Sequence, residues 1–147
     1  MTGRALAALT ALTLASILPP AAHASPQQDY MLYCMGCHGE QAQGVPGKVP
    51  PLAGALTLFM RSPAGRDYLL RVPGAANSAL SDAQLTAVLN WLAVTYPPAG
   101  ATGPAPPPFT VTEVTAVRHL PLANVLETRR EVVSALAASG PAPADKY

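Results

Sequence analysis

The stretch Cys34-Met35-Gly36-Cys37-His38 places two thiols and an imidazole within five residues, in the order Cys-x-x-Cys-His. These are the only cysteines in the chain, so nothing competes for them. A disulfide redox pair of this spacing belongs beside a βαβ pattern, and no strand pattern flanks it. A zinc site needs about four ligands. After the leader, the only soft ligands are Cys34, Cys37, His38 and His119, and their spacing fits no finger. An inert buried pair leaves the adjoining histidine unexplained. The chemistry this order serves is covalent attachment of haem c. Each sulfur forms a thioether to one vinyl group, and the imidazole of His38 becomes the proximal iron ligand.

Working outward, the preceding residues supply a matching context. Residues 1–24 carry one charge, Arg4, then an apolar run from Ala5 to Leu18 that Pro19-Pro20 breaks. Ala22-His23-Ala24 closes it as an A-x-A cleavage pattern. The run is about 14 residues, short of the ~20 of a spanning helix. It reads as a cleaved signal peptide, with a mature chain from Ser25 and covalent haem added outside the cytoplasm. Cleavage leaves 123 residues, enough for one domain. Eight basic residues then balance eight acidic ones. No basic stripe indicates nucleic acid, no polybasic cluster indicates a membrane surface, and long-range steering is weak. With few aromatics, the haem itself would supply much of the core.

The mature chain reads as helices joined by turn residues. Ser25-Pro26-Gln27-Gln28 is a capping box opening a helix that carries Tyr30, Tyr33, Cys34 and Cys37. Residues 48–58 read as a Pro/Gly-interrupted loop, and 66–71 as a short helix ended by Pro73-Gly74. Ser81-Asp82-Ala83-Gln84 is a second capping box. Leu85, Val88, Leu89 and Leu92 follow at i, i+3, i+4 and i+7, and Trp91 beside them reads as core. Residues 97–109 form a Pro-rich linker. Thr110-Val111-Thr112-Glu113 repeats the capping-box order, and a last helix is expected over about 122–138. Its apolar set is Val125, Leu126, Val132, Val133 and Leu136, with Arg129 and Arg130 on the solvated side. No internal repeat appears, and the fold class is all-α.

In this order the chain resembles the class I (mitochondrial-type) cytochrome c domain over roughly residues 26–96. The resemblance rests on an opening helix with Tyr30 four residues before Cys34, the Cys34–His38 motif, the Pro50-Pro51-Leu52-Ala53-Gly54 loop, and the closing helix at 80–92. It implies a cytochrome c-like domain at 25–96 with the Pro-rich linker and a C-terminal helical extension, 110–147. It implies that Pro50 or Pro51 offers its carbonyl to His38, and that the closing helix crosses the first one, bringing Tyr30 to the Leu89–Trp91 region. The departure is the sixth iron ligand. The family places a methionine before the closing helix, where this chain has Pro73-Gly74-Ala75-Ala76-Asn77-Ser78-Ala79. Three arrangements stay open: Met60 as the sixth ligand, His119 from the extension, or an open iron. A thioether raises the potential relative to a second imidazole.

The expected function is a periplasmic single-haem electron carrier, with Cys34, Cys37 and His38 holding the haem and Met60 as tentative sixth ligand. Such a protein is not by itself an enzyme. Its partners would be a dehydrogenase, an oxidase or another cytochrome, and the chain could be a dehydrogenase's cytochrome subunit. The second reading is a haem-based binder or sensor of small ligands. A peroxidase-like role lacks a distal histidine–arginine pair; Arg61, Arg66 and Arg71 read as surface residues or propionate partners.

Overall fold

A computed structural model of the chain describes residues 24–145. The leader expected over residues 1–24 lies, apart from Ala24, outside the described residues. The fold is all-α. Among the described residues there are eight helices and, besides them, only an isolated bridge between Val45 and Val49.

Local chemistry sets the helix starts. In α1 (Pro26–Tyr33) the Ser25 hydroxyl accepts from the Gln28 amide while the Gln28 side chain accepts from the Ser25 amide, a complete capping box. The helix does not run on through the cysteines as the sequence suggested. It breaks at Cys34 (φ −126°), whose carbonyl then takes the amides of Cys37 and His38 and starts a separate turn, α2 (Met35–His38). The expected loop at 48–58 also needs correction at its end. Leu56 to Phe59 are all buried and coil into α3 (Leu56–Phe59), because an apolar run must satisfy its amides internally when it leaves water. Helix α4 (Pro63–Arg71) starts earlier than expected, since Ser62 caps the Gly65 amide and Pro63 fits the first helical position. Pro73 ends α4 and also opens a single turn, α5 (Pro73–Ala76). Helix α6 (Asp82–Thr95) begins at the Ser81–Gln84 capping box and buries Leu85, Val88, Leu89 and Leu92, the face its periodicity marks.

Helix α1 packs across α6. The Tyr30 ring meets Trp91 at 5.6 Å, and Trp91 meets Tyr96 edge-on at 6.0 Å. The extension closes the same core. Phe109 exchanges two hydrogen bonds with Asn90 (2.8 and 2.9 Å) and lies under the Arg66 guanidinium at 4.2 Å. Helix α7 (Val111–Val117) packs on α6 and α4, and α8 (Val125–Ser139) on α3 and α4. Thr110 caps the Glu113 amide at 3.2 Å, but Glu113 does not close a reciprocal box. Its carboxylate forms a two-point pair with Arg66 at 2.6 Å, a stronger charge-assisted contact. Arg118, 2% exposed, reaches five acceptors: the carbonyls of Ala75, Ser78 and Leu80, the Ser78 hydroxyl and the Asp82 carboxylate. In α8 the expected faces are partly exchanged: Leu126 is 53% exposed and Arg129 only 4%. Arg129 shares the inward stripe of Val125, Val132, Val133 and Leu136, while Arg130 is exposed.

These ion pairs give the attachment of the extension a pH dependence. Hydrogen bonds from Thr115 and Arg118 hold Asp82 below its ordinary carboxylate value, and the hydrogen bond from Arg66 does the same for Glu113. A carboxyl depressed on folding adds stability above its unfolded value and loses it as pH falls through its folded value. The extension is therefore expected to loosen as pH falls below about 4. Limited acid proteolysis read by mass should show cleavage within residues 97–110 before any cut in α1 or α6; simultaneous cutting throughout would refute this.

Candidate functional site

The site is assembled by the segment that follows α2. Ala42, fully buried, accepts the amides of Leu52 and Ala53 at 2.8 and 3.0 Å, and the Gly44 amide donates to the His38 carbonyl at 2.7 Å. The Val45–Val49 bridge closes a small turn between them. Gly44 has φ +70°, and a Cβ there would run into the carbonyls of Val49 and Pro50. Only glycine lets the backbone pass so close. The Tyr30 hydroxyl donates to the Gly39 carbonyl at 2.6 Å and ties α1 to the end of the motif. Burial, with a smaller contribution from Cys34, pushes its pKa up to about 12, so it remains a donor.

The result is a fixed imidazole. His38 Nδ1 lies 3.0 Å from the Pro50 carbonyl oxygen. A carbonyl can only accept, so Nδ1 carries the proton and Nε2 keeps its lone pair for a metal. Burial lowers the pKa of His38, against the opposing pull of this hydrogen bond, and favours the neutral ring. Burial raises Cys34, with Asp29 and Cys37 adding to the shift. A reactive redox thiol has the opposite displacement. Cys34 is half-buried and Cys37 exposed, with both as free thiols.

Cys34, Cys37 and His38 all border one cavity of about 320 Å³, within the ~300–1,000 Å³ of ligand sites. Pro50 and Pro51 continue the His38 side. Leu85, Val88, Leu89 and Leu92 of α6 line it, as do Leu56 and Phe59 of α3, Tyr68 and Leu69 of α4, and Val72 just after α4. Helix α8 adds Val125 and Arg129. Arg129 also donates to the Ala144 carbonyl at 2.9 Å, and its guanidinium lies 5.2 Å from the Phe59 ring centre. The cavity is mostly apolar, reaches the surface beside Cys37 and Tyr33, and holds one buried cation. That fits a flat apolar macrocycle bound through two thiols, with its edge at the surface and carboxylates to accommodate. Among the described residues no cluster of three or more His, Cys, Asp or Glu side chains could hold a metal ion directly.

The other residues singled out in the sequence lie elsewhere. Met60 is 2% exposed in the protein core and is not among the cavity-lining residues. His119 is exposed and does not line the cavity. Arg66 and Arg71 are engaged with the extension, Arg71 through the carbonyls of Leu120 and Pro121. Sequence reasoning missed Arg129 and Tyr68. Helical periodicity marks Arg129, which falls four residues after Val125 and three before Val132.

No protein-family profile matches the chain. Two curated proteins do resemble it, both of them a cytochrome c-552 of Thermus thermophilus. Each is 32% identical over 119 residues, spanning 67% of this chain and 90% and 80% of the respective relative.

Gly44→Ala tests how the imidazole is held. Strain at positive φ and the collision with Val49 and Pro50 should cost more than about 1 kcal/mol in denaturant unfolding, and the His38 ring resonances should shift. An alanine variant with unchanged stability and unchanged His38 resonances would contradict the close approach.

Proposed function

Because the chain belongs to the c-type cytochromes, we propose that it carries one haem c, bound through Cys34 and Cys37 with His38 Nε2 on the iron, and passes single electrons between periplasmic partners. The observation that supports this most directly is the grouping of both thiols and a pre-oriented imidazole on the rim of one apolar cavity. As a c-type cytochrome it is an electron-transfer protein, not by itself an enzyme. When bound, the haem supplies a one-electron ferric–ferrous couple.

The chain's own residues do the rest. Pro50 fixes the ring plane and tautomer of His38, and the apolar walls exclude water and so set the polarity around the iron. Arg129, held by the Ala144 carbonyl, places a positive charge beside the cavity. At the cavity edge, Tyr33 is 49% exposed, and Met31 and Leu32 of the same helix are 50% and 72% exposed. These side chains offer an apolar contact for a partner where an electron has the shortest path, in keeping with a mature chain of no net charge. Among the described residues no helix is long and apolar enough to cross a membrane. The partners would be a dehydrogenase and an oxidase or second cytochrome, and the extension packs on its own core, leaving α1 as the docking face.

Expression with a haem-attachment system tests the reading. The wild-type chain should keep haem through a denaturing gel, and Cys34→Ala with Cys37→Ala should keep none. Haem retained by the double variant, or a colourless wild type of unaltered polypeptide mass, would overturn the proposal.

A further inference from the structure

The two walls of the cavity differ in what they offer an iron. Helices α1, α2 and α6 pack together and carry the His38 side; α4 packs on α3, α5, α7 and α8 instead of on α1 or α2. The cavity is also lined by a wall of Leu56, Phe59, Tyr68, Leu69 and Val72. None of these is a methionine or histidine. The segment before α6 is fastened by Arg118 and brings only Pro73, Gly74, Ala75 and Ser78 to the cavity. Lys48 lines the cavity from the loop that carries Pro50, on the His38 side, and is exposed. Met31 is half-exposed on α1, and Met60 and His119 are off the wall.

Tyr68 is the polar side chain of that wall. It is 5% exposed, and its ring is fixed against Phe59 at 5.3 Å between centres. Among the described residues its hydroxyl has no hydrogen-bond partner. Yet the hydroxyl is not sealed off, since only Thr57 Oγ1 is both fully covered and unpartnered among the described side chains. The space the Tyr68 ring lines is the cavity itself. An apolar group filling that space would offer the hydroxyl no acceptor, and buried polar groups are nearly always satisfied.

We propose that a haem held at this cavity would keep an exchangeable iron position, which takes a small diatomic molecule to which the Tyr68 hydroxyl donates a hydrogen bond. This rests on haem attachment at Cys34 and Cys37. Of the five wall side chains only Tyr68 carries a hydrogen-bond donor, which favours a ligand with a weakly basic outer atom.

Carbon monoxide, added to the reduced, haem-bearing full chain at neutral pH, is the probe. The visible spectrum should convert completely at one carbon monoxide per haem. Tyr68→Phe, which keeps the ring packing, should raise the C–O stretching frequency and release the ligand several-fold faster, with unchanged circular dichroism. A reduced protein that carries covalent haem yet leaves its spectrum unchanged under carbon monoxide overturns the inference. Met60→Ala or His119→Ala then regaining binding would name the protein ligand responsible. An identical stretch and release rate in Tyr68→Phe would remove Tyr68 from the site. Lack of covalent haem would instead sink the underlying reading.

Discussion

One hydrogen bond organises the functional half of this protein: His38 Nδ1 to the Pro50 carbonyl, 3.0 Å long. It presents an unprotonated nitrogen to the cavity and points it in one direction. Much of the segment between residues 39 and 54 serves to bring that carbonyl into place. Ala42 takes two amides, Gly44 gives the backbone room, and the Val45–Val49 bridge folds the turn. Proline suits the acceptor position because its fixed φ holds the carbonyl with little conformational freedom to lose.

The second constraint is that a half-shell of helices cannot enclose a flat apolar group alone. Helices α1, α2 and α6 build one side, and the rest depends on α3, α4 and the C-terminal extension. Phe109, Val114, Val132, Val133 and Leu136 belong to the same buried core as Leu56 and Leu89. The polar fastening is done by arginines whose long side chains reach carbonyls far away in sequence. Arg66 holds the Pro107 and Pro108 carbonyls, and Arg118 holds residues 75–82. A guanidinium stays charged at any physiological pH, so these clasps are lost only through their acceptors.

Features written in consecutive residues were legible in the sequence. The Cys-x-x-Cys-His order, the two full capping boxes and the inward face of α6 follow from spacing alone, and so does the all-α class. The position of Tyr30 against Trp91 followed from the family resemblance. Helix boundaries around Cys34, Leu56 and Pro73 were less accessible, because tertiary burial and a single backbone kink decided them. The long-range arginine contacts were not legible at all, since nothing local to Arg118 announces Ala75 or Leu80 as its acceptors. Arg129 is an intermediate case. Its charge argued for solvent, but its phase along α8 argued for the interior, and phase prevailed because Phe59 and the Ala144 carbonyl receive the guanidinium.

The split between the two sides of the cavity also bears on the order in which the site is completed. The thiols and imidazole lie near the front of the chain, at residues 34–38, while Val125 and Arg129 close the cavity from near its end. A chain emerging amino-terminus first exposes Cys34, Cys37 and His38 while the cleft still lacks a wall. Any chemistry on the two thiols then has an unfinished, accessible groove to work in, and arrival of the last helix closes it afterwards.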